Sequence, residues 1–340
     1  MLTKYYKINI NDIDATIIKD CSKIIKQGNL VSFPTETVYG LGANALDSKA
    51  IEKIFIAKGR PMDNPLILHV ASFDMLLKYV KHVPNIAYDL SKIFWPGPLT
   101  MIFKKSNLVP YEATANLDTV AIRIPSHPVA LELIKQCNLP IAAPSANSSG
   151  KPSPTNARHV YDDLNGKISA IIDCGKSDIG IESTVLDLTT TPPTILRPGG
   201  TPLKKLEMLI PNLISEKIVE DNLVPKAPGM KYKHYSPKAP LYIIKGDSKK
   251  VITKINELAD EDTGILCSLE TSKEYLKGKI LCLGSIHSPD ELAYNLFESL
   301  RMFDKLNVKK IYCEFFNYGP FKDAIINRLK KAADNKIINT

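Results

Sequence analysis

Two basic residues, Lys58 and Arg60, stand one glycine apart where a helical apolar pattern ends, just before a loop stiffened by Pro61, Asn64 and Pro65. A single basic residue there would suit the negative end of the helix macrodipole, an effect of ~0.3–1 kcal/mol. Two of them, followed by a rigid loop, favour a placed site for an anion. Upstream, Pro34-Thr35-Glu36-Thr37-Val38-Tyr39-Gly40-Leu41-Gly42 gathers hydroxyls and glycines where a short apolar run stops. Such a segment opens backbone N–H groups and small donors at a sheet edge. Thr35 and Thr37 are ligand donors or ordinary loop-capping hydroxyls, and the residues alone leave both readings standing.

Arg123 lies on the otherwise apolar stretch Val120-Ala121-Ile122-Arg123-Ile124. A buried guanidinium is costly unless a carboxylate or phosphate pairs with it, so it is either a ligand fork or half of a structural ion pair. Three more strand ends carry the same equipment. They are Ala143-Pro144-Ser145-Ala146-Asn147-Ser148-Ser149-Gly150, Glu182-Ser183-Thr184 and Arg197-Pro198-Gly199. His69 has no second ligand at metal spacing and reads as a core histidine. Neither GxxxxGK[ST] nor GxGxxG is present, so a nucleotide would need a different cradle.

Several elements must position these groups. Ile17, Ile18, Cys21, Ile24 and Ile25 predict a helix stopped at Gly28, and Ile51, Ile54 and Phe55 a second one from Asp47 or Ser48 to Gly59. Strands are expected at 30–33, 66–70, 100–104, 120–124, 141–144, 170–173, 184–188 and 194–197, with 34–42 as a loop. Helices fit only some of the gaps, which implies an α/β fold with a twisted mixed sheet, parallel and antiparallel. Residues 211–238 are broken by Pro211, Pro225, Pro228 and Pro237 and carry the basic-aromatic run Lys231-Tyr232-Lys233-His234-Tyr235. They read as a linker between a domain at 1–210 and a smaller Rossmann-like α/β domain at 239–340. In the latter, Ser288-Pro289-Asp290-Glu291 has the pattern of a capping box opening a helix to about Lys305.

Composition sets the outer bounds. With 340 residues the chain suits two domains, and 44% hydrophobic with 24% charged residues is ordinary for a globular protein. No apolar run approaches a membrane span, and the N-terminal residues lack a signal-peptide core, so a cytoplasmic location is expected. Six scattered cysteines without a CxxC fit free thiols in a reducing compartment. The net charge of +8 is compatible with ATP or RNA as partner and proves neither.

Taken together, PTETVYGLGA, KGRPxxNPL, HV, RIP, APSAN-SG, ESTV-D and LRPG resemble the threonylcarbamoyl-AMP synthases, with a YrdC-like domain, over residues 8 to about 208. The KxR and SxN signature of that family stands as Lys58/Arg60 and Ser145/Asn147. The segment from Pro228 to Pro237 is similar to the linker of the longer, two-domain subgroup. The resemblance implies that L-threonine, bicarbonate and ATP give threonylcarbamoyl-AMP and pyrophosphate, for modification of adenosine 37 in tRNAs that read ANN codons. It implies a threonine site of Thr37, His69, Arg123, Ala143 and Ser183. It further implies an ATP site of Arg60, Asn64, Thr119, Ser145, Asn147, Ser153 and Arg197, with Lys58 beside it and Tyr235 folding over as part of a lid. Lys58 and Arg60 would carry catalysis. Mg²⁺ is expected to travel with ATP and not in a protein cage, and tRNA or a downstream threonylcarbamoyl transferase is a further partner.

Two other classes compete. A basic surface could grip double-stranded RNA without catalysis, and Ser183 with His69 could form a hydrolase, although no G-x-S-x-G elbow surrounds Ser183.

Overall fold

The computed structural model describes residues 2–215 and 234–340. Among these, one compact unit holds 2–149, Pro154–Asp178 and 182–215, and a second holds Gly150–Ser153, Ile179–Ile181 and 234–340. The strands of the first are β1 (Lys4–Lys7), β2 (Val31–Phe33), β3 (Gly40–Asn44), β4 (Ile67–His69), β5 (Leu99–Lys104), β6 (Thr119–Arg123), β7 (Ile141–Ala142), β8 (Ala170–Asp173), β9 (Thr184–Asp187), β10 (Thr194–Arg197) and β11 (Ile214–Ser215). They hydrogen-bond in the order β1-β8-β2-β3-β7-β4-β6-β5-β9-β10-β11. Parallel pairs such as β4/β6 and antiparallel ones such as β5/β6 occur in the same sheet, which is the mixed sheet the irregular helix spacing predicts.

Period-two alternation sends neighbouring residues to opposite faces. Ile171 joins a core with Leu41, Ile51, Ile54, Leu68 and Ile122, while Ile172 joins another with Ile18, Ile25, Phe33 and Leu133. The helices behind these faces begin and end as their sequences dictate. Asp14 caps Ala15–Lys26 through the N–H groups of Thr16 and Ile17, and Asp47 caps Ser48–Lys58 through those of Lys49 and Ala50. Gly59 ends the second helix at φ 62°, a left-handed conformation that favours glycine.

Pro34–Gly42 is not a loop throughout. The chain turns back at Gly40 into β3, which lies antiparallel to β2 with Phe33 opposite Gly40. Its sequence, Gly-Leu-Gly-Ala-Asn, has little intrinsic β propensity, and pairing with β2 on one side and β7 on the other makes it a strand. Gly42 is obligatory there, since a Cβ would lie 2.7 Å from the Phe33 ring. The short edge strands β1 and β11 are likewise outside the expected set.

The second unit carries β12 (Leu241–Lys245), β13 (Thr263–Cys267), β14 (Lys279–Cys282), β15 (Lys310–Glu314) and β16 (Ile337–Asn339), ordered β14-β13-β15-β12-β16. Every pairing is parallel, with helices Ser248–Leu258, Pro289–Lys305 and Lys322–Ala332 between strands, as in a Rossmann-like fold. The strand β16 was not expected from the sequence. Pro289 opens its helix as predicted, but the capping box is not made. The Ser288 hydroxyl accepts no hydrogen bond from the first helical turn, and the Glu291 carboxylate accepts from Ser285 N at 3.2 Å instead. Of the linker assigned to 211–238, Ile214–Ser215 pairs with β10, and residues 216–233 lie outside the described residues. Among the described residues no helix is long and apolar enough to cross a membrane.

Candidate active site

The parallel β4/β6 pair sets His69 directly beside Arg123, both at their strand ends. Arg123 is buried at 3% exposure, and three sides hold its guanidinium. Nε donates to Gly97 O at 3.1 Å, Nη1 donates to Thr37 Oγ1 at 2.8 Å, and Nη2 stands 2.7 Å from Glu36 Oε1. The two readings of the threonine pair divide between the residues. Thr35 serves the loop, donating to Val38 O at 2.6 Å, whereas Thr37 faces the guanidinium and meets Thr35 Oγ1 at 2.8 Å.

Glu36 is the partner that the lone arginine required, and the sequence reading passed over it. The signal was present: a single acid between two hydroxyls in the motif nearest Arg123. Burial pushes its carboxyl pKa up, but the Arg123 charge and hydrogen bonds outweigh this and hold it below the usual range. His69 shows the opposite effect. Burial first, and the Arg123 charge second, push its pKa down to about 3, so the ring is neutral at physiological pH. Its Nδ1 has no hydrogen-bond partner among the described residues. Phe33 packs edge-on against the ring at 6.2 Å.

Lys58 is buried at 4% exposure and is no solvated helix-end charge. Its Nζ donates to Ser145 O and, at 2.7 Å, to Asn147 O. Ser145 Oγ donates to Asn147 Oδ1 at 2.6 Å, and Asn147 Nδ2 donates to Ser148 O at 2.8 Å. The loop is moored to the sheet through a bridge between Gly40 and Ser145. The two halves of the KxR and SxN pattern thus come together although 87 residues separate Lys58 from Ser145. Arg60 follows Gly59 and is half-buried. Asn64 is fully buried, and neither atom of its amide has a partner among the described residues.

Ser183, buried immediately before β9, shares a 2.8 Å hydrogen bond with Thr100 Oγ1 of β5. Arg197 closes over it from β10: Nε and Nη2 donate to Ser183 O at 3.2 and 2.8 Å, and Nη2 also reaches Ser183 Oγ at 3.2 Å. With its hydroxyl engaged by Thr100 and Arg197, Ser183 lacks the histidine partner of a hydrolase. Thr100 carries no signal in the sequence, because a threonine on an apolar strand looks like any β-branched filler. Ala143 N donates to Ile67 O at 3.0 Å, and Thr119 opens β6 opposite Lys104.

Ser153 and Tyr235 belong to the second unit. Ser153 is buried, and the preceding Pro152 O accepts from Arg301 Nε and Nη2 at 3.1 and 2.6 Å. Tyr235 adopts φ 64°, stacks on Phe297 at 5.1 Å and lies under the Arg328 guanidinium.

The first unit therefore gathers buried cations, hydroxyls and orphaned amide and imidazole atoms at adjoining strand ends. Among the described residues there is no cluster of three His, Cys, Asp or Glu able to hold a metal ion. Such a set has the charge and the donors to hold and orient an anion.

A family model described as telomere recombination matches residues 23–199, and one described as threonylcarbamoyl-AMP synthase, C-terminal domain, matches 202–334. The chain is 48% identical to the threonylcarbamoyl-AMP synthase of Pyrococcus abyssi, over 97% of its own length and 98% of the relative's. It is 42% identical to the Bacillus subtilis protein of the same name, over 99% and 100%. The crystal structure of P. abyssi Sua5 complexed with L-threonine matches with a TM-score of 0.93 at 46% identity, covering 99% of this chain and all of that one.

Proposed function

We infer that this chain, which belongs to the threonylcarbamoyl-AMP synthase family, makes threonylcarbamoyl-AMP from L-threonine, bicarbonate and ATP. The threonine amine condenses with bicarbonate, releasing water and leaving a carbamate. A carbamate oxygen then attacks the α-phosphorus of ATP, and the bond to pyrophosphate breaks, so the enzyme is a nucleotidyltransferase. Neither step needs a covalent intermediate on the protein. Gathering anions, holding them in line and keeping water from the labile product is what the site must supply.

The observation that carries this reading is the Arg123 fork, buried beside Thr37 and neutral His69. A guanidinium so placed suits the carboxylate of an amino acid bidentately. The Ser183 hydroxyl and the Ala143 strand end complete the threonine side. On the ATP side we place Arg60, Asn64, Thr119, Ser145, Asn147 and Arg197. The orphaned Asn64 amide offers both a donor and an acceptor, and Arg197 and Ser183 join the two sides of the site. For Ser153 and Tyr235 the assignment to ATP rests on the family resemblance. Lys58 acts by fixing the Ser145–Asn147 loop and lending it positive charge. Mg²⁺ would arrive with the triphosphate and neutralise part of its charge. The product would serve a threonylcarbamoyl transferase acting on tRNA. We place the reaction in the cytoplasm, where the free cysteines stay reduced.

Pyrophosphate release measured with and without each substrate tests this. It should require ATP, bicarbonate and threonine together. Equal release without threonine, or none with all three present, would refute the assignment.

A further inference from the structure

We propose that Glu36 is a positioning residue of the threonine site: it fixes the Arg123 guanidinium and cancels its charge, so that the fork takes a net-neutral amino acid in preference to any small carboxylate. This rests on the reading of Arg123 as the carboxylate fork. Counting donors supports the first half. Arginine has five N–H groups. One goes from Nε to Gly97 O, one from Nη1 to Thr37 Oγ1, and Nη2 abuts Glu36 Oε1. Each terminal nitrogen keeps at least one hydrogen, the number a carboxylate takes in a two-point contact. Contacts on three sides leave the fork no freedom to swing.

Charge supports the second half. Arg123 and Glu36 are 3% and 4% exposed, so neither is screened by water. A lone guanidinium there would hold any available anion, because a buried charge without a partner is strongly unfavourable. With Glu36 in place the pair is neutral. A monoanion such as acetate would then leave an unbalanced negative charge in the site. A zwitterion brings its own compensating ammonium, so its carboxylate can use the fork without that penalty. Glu36 does not itself need to touch the substrate for this selection to work.

The test is isothermal titration of sodium acetate into the full-length protein without ATP, comparing the parent with Glu36→Gln, which keeps the side-chain volume and removes the charge. Acetate should bind the variant at least about tenfold more tightly than the parent. It should also compete with threonine in pyrophosphate release, with the ATP KM unchanged. Equal acetate affinity in the two folded proteins overturns the proposal. Glu36→Asp provides a second arm that retains the charge but shortens its reach. It should exclude acetate as the parent does and raise the threonine KM alone. Acetate uptake matching that of the Gln variant, or a parallel rise in both KM values, would also overturn it. Acetate binding is read without catalysis, so a parent that releases no pyrophosphate would refute the proposed reaction and leave this result intact.

Discussion

Lys58 Nζ lies 2.7 Å from the carbonyl oxygen of Asn147, and Ser149 N returns a 2.8 Å hydrogen bond to the Lys58 carbonyl. Side chain and main chain of the last helical residue therefore both bind one loop. Backbone dipoles at Ser145 and Asn147 stabilise the buried ammonium, and the loop in turn gains a fixed positive charge.

From sequence, Lys58 and Arg60 read as a placed anion site at a helix end, where an exposed charge contributes little to stability. Burial changes that for Lys58. Lys58→Ala should lower unfolding free energy by about 2–3 kcal/mol, since hydrogen bonds to a charged group contribute about 1.5–3 kcal/mol. It should also abolish synthesis. Arg60→Ala, at a half-buried position, should keep the melting temperature and raise the ATP KM. Thermal denaturation alongside ATP titration checks both, and a Lys58→Ala protein as stable as the parent would remove Lys58 from the scaffold.

Arg123→Ala strands Glu36 as an uncompensated buried charge, so it should cost about 3–5 kcal/mol of stability as well as threonine binding. Adding Glu36→Gln should recover most of that stability without restoring the threonine KM. Denaturant melts and threonine kinetics of the single and double variants separate the two roles. Recovery of threonine binding in the double variant would show that the fork is not needed.

Gly199 has no room for a side chain: a Cβ would stand 2.3 Å from Glu182 O and from the Ser183 carbonyl carbon. Gly199→Ala should therefore displace Ser183 and raise the threonine KM by about tenfold, about 1.4 kcal/mol of transition-state binding. Thr100→Val should have a milder effect in the same direction, about 1 kcal/mol, because Ser183 keeps its Arg197 contact. Steady-state kinetics with threonine varied are the measure. A Gly199→Ala enzyme with the parent's KM would mean that the site does not depend on this close approach.

Acid should destabilise the first unit well before carboxylates titrate. The unfolded His69 ring takes a proton near pH 6.5, while in the fold its pKa is about 3. The unfolded chain binds more protons as pH falls, so stability is complete above about 6.5 and drains toward pH 3. At pH 5 this single group removes about 2 kcal/mol. Glu36, whose carboxyl is held low, acts in the same direction further down: its contribution is present above the ordinary carboxylate range and lost below it. Melting temperatures at pH 7.5 and 5 should differ clearly for the parent and less for His69→Gln. An equal difference in both would mean that the buried ring is not the group responsible.

Much of this protein follows from local pattern alone. The strands around 100–104, 120–124 and 170–173 are apolar enough to be read directly. Asp47 and Gly59 bracket a helix through capping and left-handed geometry, both of them short-range effects. The strand-end motifs also point to a candidate anion site, because their donors and cations are consecutive in the chain. What the sequence could not decide depends on distant partners. β3 is a strand because β2 and β7 flank it, not because Gly-Leu-Gly-Ala-Asn prefers extension. Whether Arg123 was a ligand fork or an ion pair had no answer until Glu36, Thr37 and Gly97 were seen around it; the ion pair is there, and each terminal nitrogen keeps at least one hydrogen beyond it. Lys58 is buried, and Ser183 leans on Thr100, for the same reason: desolvation and hydrogen-bond geometry are set by the neighbours that a fold brings close, and no local spacing encodes which neighbours those are.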